Sequence, residues 1–299
     1  MSGNQQLEID PVLVEQLCSP LPTGRRLFTY IMNGLAFGFS FLAIVPLLSI
    51  LWVILERGFS GLRPAMFVTA VIDDGIANAL VGTAVMVAIG SLLSIPIGVL
   101  TGIFLAEFGI DNPIAKFVRF ITTILTGVPS IVVGIFAYGV VVLFTKHVFE
   151  GKSFSAVAGG FALSIIMLPV IALTTEEALK LIPKEQRLAS AALGGTRFQT
   201  TFRVVFAAAI PGITTGVLLA VARAAGETAP LIFTALFSQE WSEDLLSPTA
   251  SLPVLIYNLY NDPSPEKNQL VWTTSIVLLG LVLCISLLSR AITSRKKTN

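Results

Sequence analysis

Two charged residues, Arg223 and Glu227, stand inside the otherwise apolar stretch from Gly212 to Phe237. That stretch is long enough to cross a bilayer, since a spanning helix needs about 20 mainly apolar residues. A charge at mid-membrane costs roughly 2.5–3.5 kcal/mol on insertion scales. Such side chains persist where they face a bundle interior or a water-filled path, usually with a partner. A spacing of four puts both on one face of one helix turn, within reach of each other. Arg before Glu is the less favoured order on an isolated helix, so local pairing is a poor sole reason for both. Two readings are open: a self-neutralising pair that only holds helices together, and a polar station on a solute path. The default for intramembrane charge favours the second.

The elements that must carry this pair are transmembrane helices. The chain is 54% hydrophobic and 12% charged, with a mean hydropathy of +0.84, whereas a soluble domain is about 25% charged. Apolar segments of helical length lie at about 27–55, 76–106, 117–144, 156–175, 206–237 and 270–289. In a bilayer each must be a helix, because every backbone group has to be paired internally. The expected fold class is therefore an all-α polytopic membrane protein with six transmembrane helices. Pro46, Pro96, Pro129, Pro169, Pro211 and Pro230 fall within these segments and favour kinks. Gly34/Gly38, Gly98/Gly102 and Gly212/Gly216 are spaced to let helices approach closely. The leading segment carries Glu8, Asp10 and Glu15, and the apolar run after it is too long for a signal peptide core, so it should stay as an anchor.

Orientation follows from the cations. With the N-terminus inside, thirteen Lys and Arg fall on the inner side, five on the outer side, and Arg223 within the membrane, which accounts for all nineteen. The bias places both termini in the cytoplasm. The inner loop, 176–205, reads as two short helices with Gly194-Gly195 near the middle of the second, a natural docking element for a cytoplasmic partner. A solvated loop is the plainer reading. The outer segment, 238–269, has aromatics suited to the membrane boundary, and part of it is expected to lie along the surface or to contact an external protein.

Other chemistry is not supported. The net charge of +1 gives no field for nucleic acid. Cys18 and Cys284 are not expected to meet, His147 is the sole histidine, and no Cys/His cluster has metal-ligand spacing. Gly151-Lys152-Ser153 looks like the end of a phosphate-binding loop, but Lys146 stands where that loop needs glycine. Energy must therefore come from another subunit or an ion gradient. A gradient-driven transporter would show an internal repeat with broken helices in both halves, and none is visible. A polytopic enzyme would need a cluster of catalytic polar residues at a membrane face, which is also missing.

The run Ala222-Arg223-Ala224-Ala225-Gly226-Glu227-Thr228-Ala229-Pro230 closely resembles the signature of PstA-type permeases of phosphate ABC importers. The runs Thr174 to Pro183 and Ile210 to Gly216 are similar to the same family, and the likeness extends from about Ile76 to the last membrane segment. Loop 176–205 resembles the EAA coupling loop of ABC importer permeases, with Gly194 as its central glycine. Leu188, Ala189 and Ser190 occupy the Glu-Ala-Ala positions, so the glutamate is absent, and Phe206-Ala207 replace the trailing Leu-Pro. The resemblance implies the type I ABC importer permease fold in the bacterial cytoplasmic (inner) membrane. It implies a second permease of the PstC type, two copies of an ATPase of the PstB type and an external phosphate-binding protein of the PstS type. The chain would be no enzyme and hold no cofactor, ATP being bound by the partner subunit. Phosphate would be the substrate and lipid the surroundings, with another oxyanion such as sulfate or molybdate as the alternative.

On this resemblance Glu177, Leu188, Ala189 and Gly194 would contact the ATPase, and Arg223, Glu227 and Thr228 would line the path. Gly226 would leave space beside the pair, and Pro230 would free a backbone carbonyl one turn earlier, the two acting as a hinge. The expected domains are a cytoplasmic tail at 1–24, the first helix and external loop at 25–75, the permease core at 76–290 and a basic tail at 291–299.

Overall fold

The computed structural model describes residues 23–109, 112–148 and 153–295. The acidic leading segment with Cys18, the Gly151-Lys152 pair, and Lys296 and Lys297 in the basic tail lie outside the described residues.

Among the described residues, six helices are long and apolar enough to cross a membrane: α1 (Thr23–Phe59), α2 (Ala77–Phe108), α4 (Ser130–Val148), α5 (Ala156–Lys180), α7 (Arg197–Ala225) and the Pro265–Leu288 part of α10 (Pro265–Arg295). Four shorter helices lie between them: α3 (Pro113–Gly127), α6 (Lys184–Ala192), α8 (Ala229–Thr234) and α9 (Leu252–Leu259). The chain divides into two units. The first, up to Val53, holds most of α1; the second, from Ile54 onward, holds every other element.

The expected spans at 117–144 and 206–237 need correction. The first is two helices. Val128 is extended, as a residue before proline tends to be, so α3 stops at Gly127 and α4 starts at Ser130. Asn112 caps α3 through its side chain, which accepts the Ile114 N–H at 2.8 Å. The second segment ends as a span at Ala225, and α8 restarts three residues later.

The spine of the second unit is α5, buried on most of its circumference, as a helix apolar all round should be. Its most extensive contact is with α2. On α2, Asn78, Gly82, Met86, Gly90, Ser94, Gly98 and Gly102 recur every fourth residue and are all buried. On α5, Gly159, Leu163, Met167, Ile171, Thr175 and Leu179 do the same. Both stripes follow the i, i+4 row, the row that interdigitates in the commonest class of helix packing. A methyl group on Gly98 would stand 2.8 Å from Ile171 Cγ2, so the two backbones approach closely there. Gly212 plays the same part between α7 and α5, facing Ala178. The packing reading of Gly98/Gly102 and Gly212/Gly216 holds.

The outer segment is less superficial than its aromatics imply. Leu252, Leu255 and Leu259 of α9 are buried in a core with Ile76, Leu270 and Val271. Asn78 at the start of α2 fixes the strand of chain before it. Its amide donates to the carbonyl oxygens of Ser238, Gln239 and Glu240 at 3.3, 3.2 and 3.0 Å.

Inserting bulk into a filled interface costs about 1–3 kcal/mol. Gly98→Leu and Gly102→Leu should each lower the thermal midpoint of the detergent-extracted chain by several degrees. Gly280→Leu, at a site with nothing within 4 Å of a β-carbon, should leave it nearly unchanged. Equal midpoints for all three, read by scanning fluorimetry, would contradict this packing.

Candidate functional site

The break between α7 and α8 carries the charged pair. Ala209, Ile213, Gly216, Ala220 and Ala224 form the buried stripe of α7. Arg223 lies off that stripe, with 55% of its side chain exposed. The helix closes with two short-range bonds, Gly226 N–H to Arg223 O at 3.0 Å and Glu227 N–H to Ala224 O at 3.2 Å. Glu227 therefore lies beyond the last turn and reaches back to Arg223. Its Oε1 stands 3.6 Å from the guanidinium Nε, and its side chain is 15% exposed. At that separation the contact is an ion pair and too long for a hydrogen bond, so the fork of N–H donors stays available.

Three expectations change here. The pair does not occupy one turn of a continuous helix, and Arg223 stands in the final turn of a span rather than at its middle. A cation at a helix C-terminus is favoured by the helix dipole, which lowers the cost that a mid-span charge would carry. Pro230 lies in the first turn of α8, where its missing N–H removes no helical bond, so it starts a helix instead of kinking one.

Gly226 adopts φ −97°, which any residue can take. A methyl group there would touch only Arg223 O, at 3.6 Å, so the expected open space beside the pair is present. Thr228 is half-buried at the head of α8, and its side chain caps nothing.

The break is fixed in place. Leu231 is buried, and Gly134 of α4 leaves room for Pro230, whose Cα would be 2.8 Å from a β-carbon there. Thr234 O accepts the Ser155 N–H at 3.0 Å, tying α8 to the start of α5.

Two buried carboxylates lie near the other end of α7. Glu107, in a widened turn that ends α2, has 9% of its side chain exposed. Arg187 of α6 donates to it through Nη2 at 2.6 Å and Nε at 3.2 Å. The same guanidinium donates to the carbonyl oxygens of Ile182 at 2.6 Å and Leu179 at 2.9 Å. Arg197 donates to the Glu107 backbone oxygen and lies over the Phe108 ring. Glu176 of α5, with 1% of its side chain exposed, takes both Arg119 of α3 at 2.6 Å and Lys180 at 2.9 Å. These pairs bind α2, α3, α5, α6 and the start of α7 into one block.

Sequence reasoning missed both carboxylates. Glu107 had left a signal, being the sole charged residue in α2. Glu176 had left none, since Glu177 beside it is exposed and pairs only with Lys180.

Three of the four expected coupling residues, Leu188, Ala189 and Gly194, lie on one short element, and Glu177 does not. Leu188 and Ala189 are exposed on α6, and Gly194 sits in the turn that follows. Gly194 has φ +80°, a conformation that only glycine adopts without strain. The two-helix reading of the loop is corrected: Glu176 to Lys180 form the last turn of α5, α6 is the one short helix, and Gly194-Gly195 lie after it. Glu177 is therefore separate from Leu188 and Ala189. The loop and the Arg223 pair stand at opposite ends of α7, whose 29 residues span roughly 43 Å at 1.5 Å per residue.

The family described as binding-protein-dependent transport system inner membrane component matches residues 98–298. The phosphate transport system permease protein PstA of Haemophilus influenzae is 38% identical over 273 residues, covering 89% of this chain and 95% of that protein. The probable PstA of Methanocaldococcus jannaschii is 36% identical, with 87% and 90% covered. Among solved structures, the inward-facing MetNI methionine ABC transporter superposes with a TM-score of 0.57 at 22% identity, over 78% of this chain and 99% of the other. A chain of the bacterial alginate ABC transporter superposes at 0.62 with 13% identity, over 89% and 94%. Both share its fold, that of ABC importer permeases. The chain is a multi-pass inner membrane component of a binding-protein-dependent transport system, and within that family it belongs with the PstA-type permeases.

Removing one partner of a buried ion pair costs about 3–5 kcal/mol, whereas an apolar replacement of both is often tolerated. Arg187 is partly exposed, so the lower end applies. Glu107→Gln should loosen α6, seen as faster hydrogen exchange at 184–192. Glu107→Met with Arg187→Met should be less disturbed than either single change. Wild-type exchange rates in Glu107→Gln would show that the pair does not hold the helix.

Proposed function

We propose that the chain is the transmembrane permease subunit of an ATP-driven importer that moves inorganic phosphate into the cytoplasm. The observation that carries the mechanism is the Arg223–Glu227 pair, at a break between helices and open on the surface of the subunit. An arginine more than half exposed on a transmembrane subunit is costly against lipid, so that surface faces a partner subunit or a watered path. Phosphate near neutral pH carries one or two negative charges and at least one proton. The free fork of Arg223 can hold it by paired hydrogen bonds. Glu227 keeps the guanidinium in place between passages and tempers its charge, and it can accept from a phosphate hydroxyl. That balance matters because transport needs binding weak enough to release. Thr228 offers a further hydroxyl, and Gly226 leaves the approach open.

The full importer would add a second permease of the PstC type, two ATPase subunits of the PstB type and an external phosphate-binding protein of the PstS type, a set that the relatives' PstA naming supports. ATP is bound and hydrolysed by the ATPase subunits, and this chain needs no cofactor of its own. Both termini and loop 176–205 would be cytoplasmic, the side favoured by the excess of cations. The working divisions are the tail at 1–24, the first helix and loop at 25–75, the core at 76–290 and the basic tail at 291–299. The ATPase would dock on α6 and its Gly194 turn, with Leu188 and Ala189 at the contact and Glu177 at its edge.

Arg223→Gln should abolish phosphate uptake in cells while leaving the complex assembled; normal uptake would remove the proposal. The exchange Arg223→Glu with Glu227→Arg tests position, and normal transport by it would favour a packing pair. For the loop, Gly194→Ala reads the backbone strain alone. Gly194→Trp adds bulk into space that is open in this chain. Extra loss of coupled ATP hydrolysis in the tryptophan variant therefore reports a docked partner, and equal behaviour of the two variants would remove the docking assignment.

A further inference from the structure

A cavity of about 770 Å³ opens beside α6, between it, the ends of α2 and α5, the middle of α3 and the start of α7. It falls in the size range of small-molecule sites, about 300–1,000 Å³. Arg119, Lys180, Lys184, Arg187 and Arg197 line it. Against these five cations stand three carboxylates in contact with them, Glu107, Glu176 and Glu177. The surplus is two positive charges. Lys184 has no ion-pair partner among the described residues. Between the cations the lining is apolar, with the half-buried Ala106 and Ile182 and the exposed Ala191.

The cavity sits where the apolar runs of α2 and α5 give way to charge, which is the boundary of the membrane. Beside it, α3 turns Phe117, Phe120, Ile121 and Ile124 outward, all of them exposed. A helix with an apolar face outward and cations at its edge is built to lie in a lipid interface. A basic pocket between helices at that boundary is the setting in which anionic lipid head groups are held.

From this we infer that the cavity is a binding site for a phosphate-bearing anion, with an anionic phospholipid as its occupant. The head-group phosphate meets Lys184 and the outward edges of Arg119 and Lys180, and the first part of an acyl chain lies over Ala106 and Ile182 toward α3. The site is separate from the Arg223 break, and it holds whatever solute that break carries. A free phosphate ion shares the head group's chemistry but gains nothing from the apolar lining. An acidic segment of the ATPase is a different occupant altogether.

The test uses the assembled transporter, taken from vesicles of phosphatidylcholine with and without phosphatidylglycerol and examined by native mass spectrometry. Phosphatidylglycerol should be retained over phosphatidylcholine. Lys184→Glu should cut that retention roughly tenfold, and Lys184→Arg should keep it. Lys184 is exposed, so assembly of the variants is expected and is checked in the same spectra. Displacement by millimolar inorganic phosphate would keep the site and assign it to free anion. Two results overturn the inference: equal retention of both lipids in wild type and Lys184→Glu, or a disulfide crosslink from Ala191→Cys to an ATPase cysteine in the resting complex, which would put protein in the cavity.

Discussion

In the hydrocarbon of a bilayer, backbone that leaves helical pairing survives only where protein buries it or water lines it. The interruption from Gly226 to Thr228 is where that constraint bears hardest on this chain. Everything around it works to hold it open and still. The small-residue stripe of α7 fixes the rotation of that helix on α5, and so decides which way Arg223 points. Gly134 admits Pro230, Leu231 fills the core, and the bond between Thr234 and Ser155 ties the restart to the top of α5. A charged pair on a loose loop would find lipid-free surroundings by moving. Here the pair has to find them by position, which in the proposed importer would be met by a second polar surface opposite.

The far end of α7 is governed by the opposite physics. There the carboxylates are buried, and each is met by partly exposed cations. Glu107 and Glu176 are each met by more than one cation or by a forked one, and each joins residues far apart in the chain, 80 and 57 positions respectively. Buried pairs of this kind add little net stability, since desolvation offsets much of the attraction, but they are costly to break one side at a time. That asymmetry suits a joint. Pulling α6 away from the end of α2 would strand the Glu107 carboxylate, and pulling it from α5 would cost the Leu179 carbonyl its donor.

The spans were legible because hydrophobic runs of membrane length have few other uses, and the Arg–Glu spacing stood out for the same reason. What could not be read were the interruptions. Val128-Pro129 and Gly226-Thr228 are each too short to lower the hydropathy of a long window, so two apolar segments looked continuous when each is a pair of helices. Segment 238–269 looked superficial because its aromatics are visible in composition, while the bonds from Asn78 that draw it inward are long-range. Glu107 could have been noticed as a lone charge in α2. Glu176 could not, because nothing local separates it from Glu177, and its burial depends on Arg119 from another helix. The four-residue stripes on α2 and α5 were written in the sequence throughout, but only the glycines of one of them drew the eye.

The missing glutamate of the coupling loop takes on a different meaning in this setting. Leu188 stands at the position where the resembled motif has that acid, and it is exposed. Its neighbour Arg187 turns inward and spends its charge on Glu107 and on two backbone carbonyl oxygens. The electrostatic anchor of the loop is thus internal to the chain. The exposed side of α6 presents Leu188 and Ala189 beside Glu185 and Gln186, and beyond them Leu193, nearly fully exposed at 90%. In the docking proposed above, the apolar part of that face would grip a partner by burial, at about 25 cal/mol per Å², a contact that tolerates sliding better than a directional ion pair does. Under that proposal, a loop secured inward by charge and outward by grease would stay fixed to its own helices while its partner turned against it.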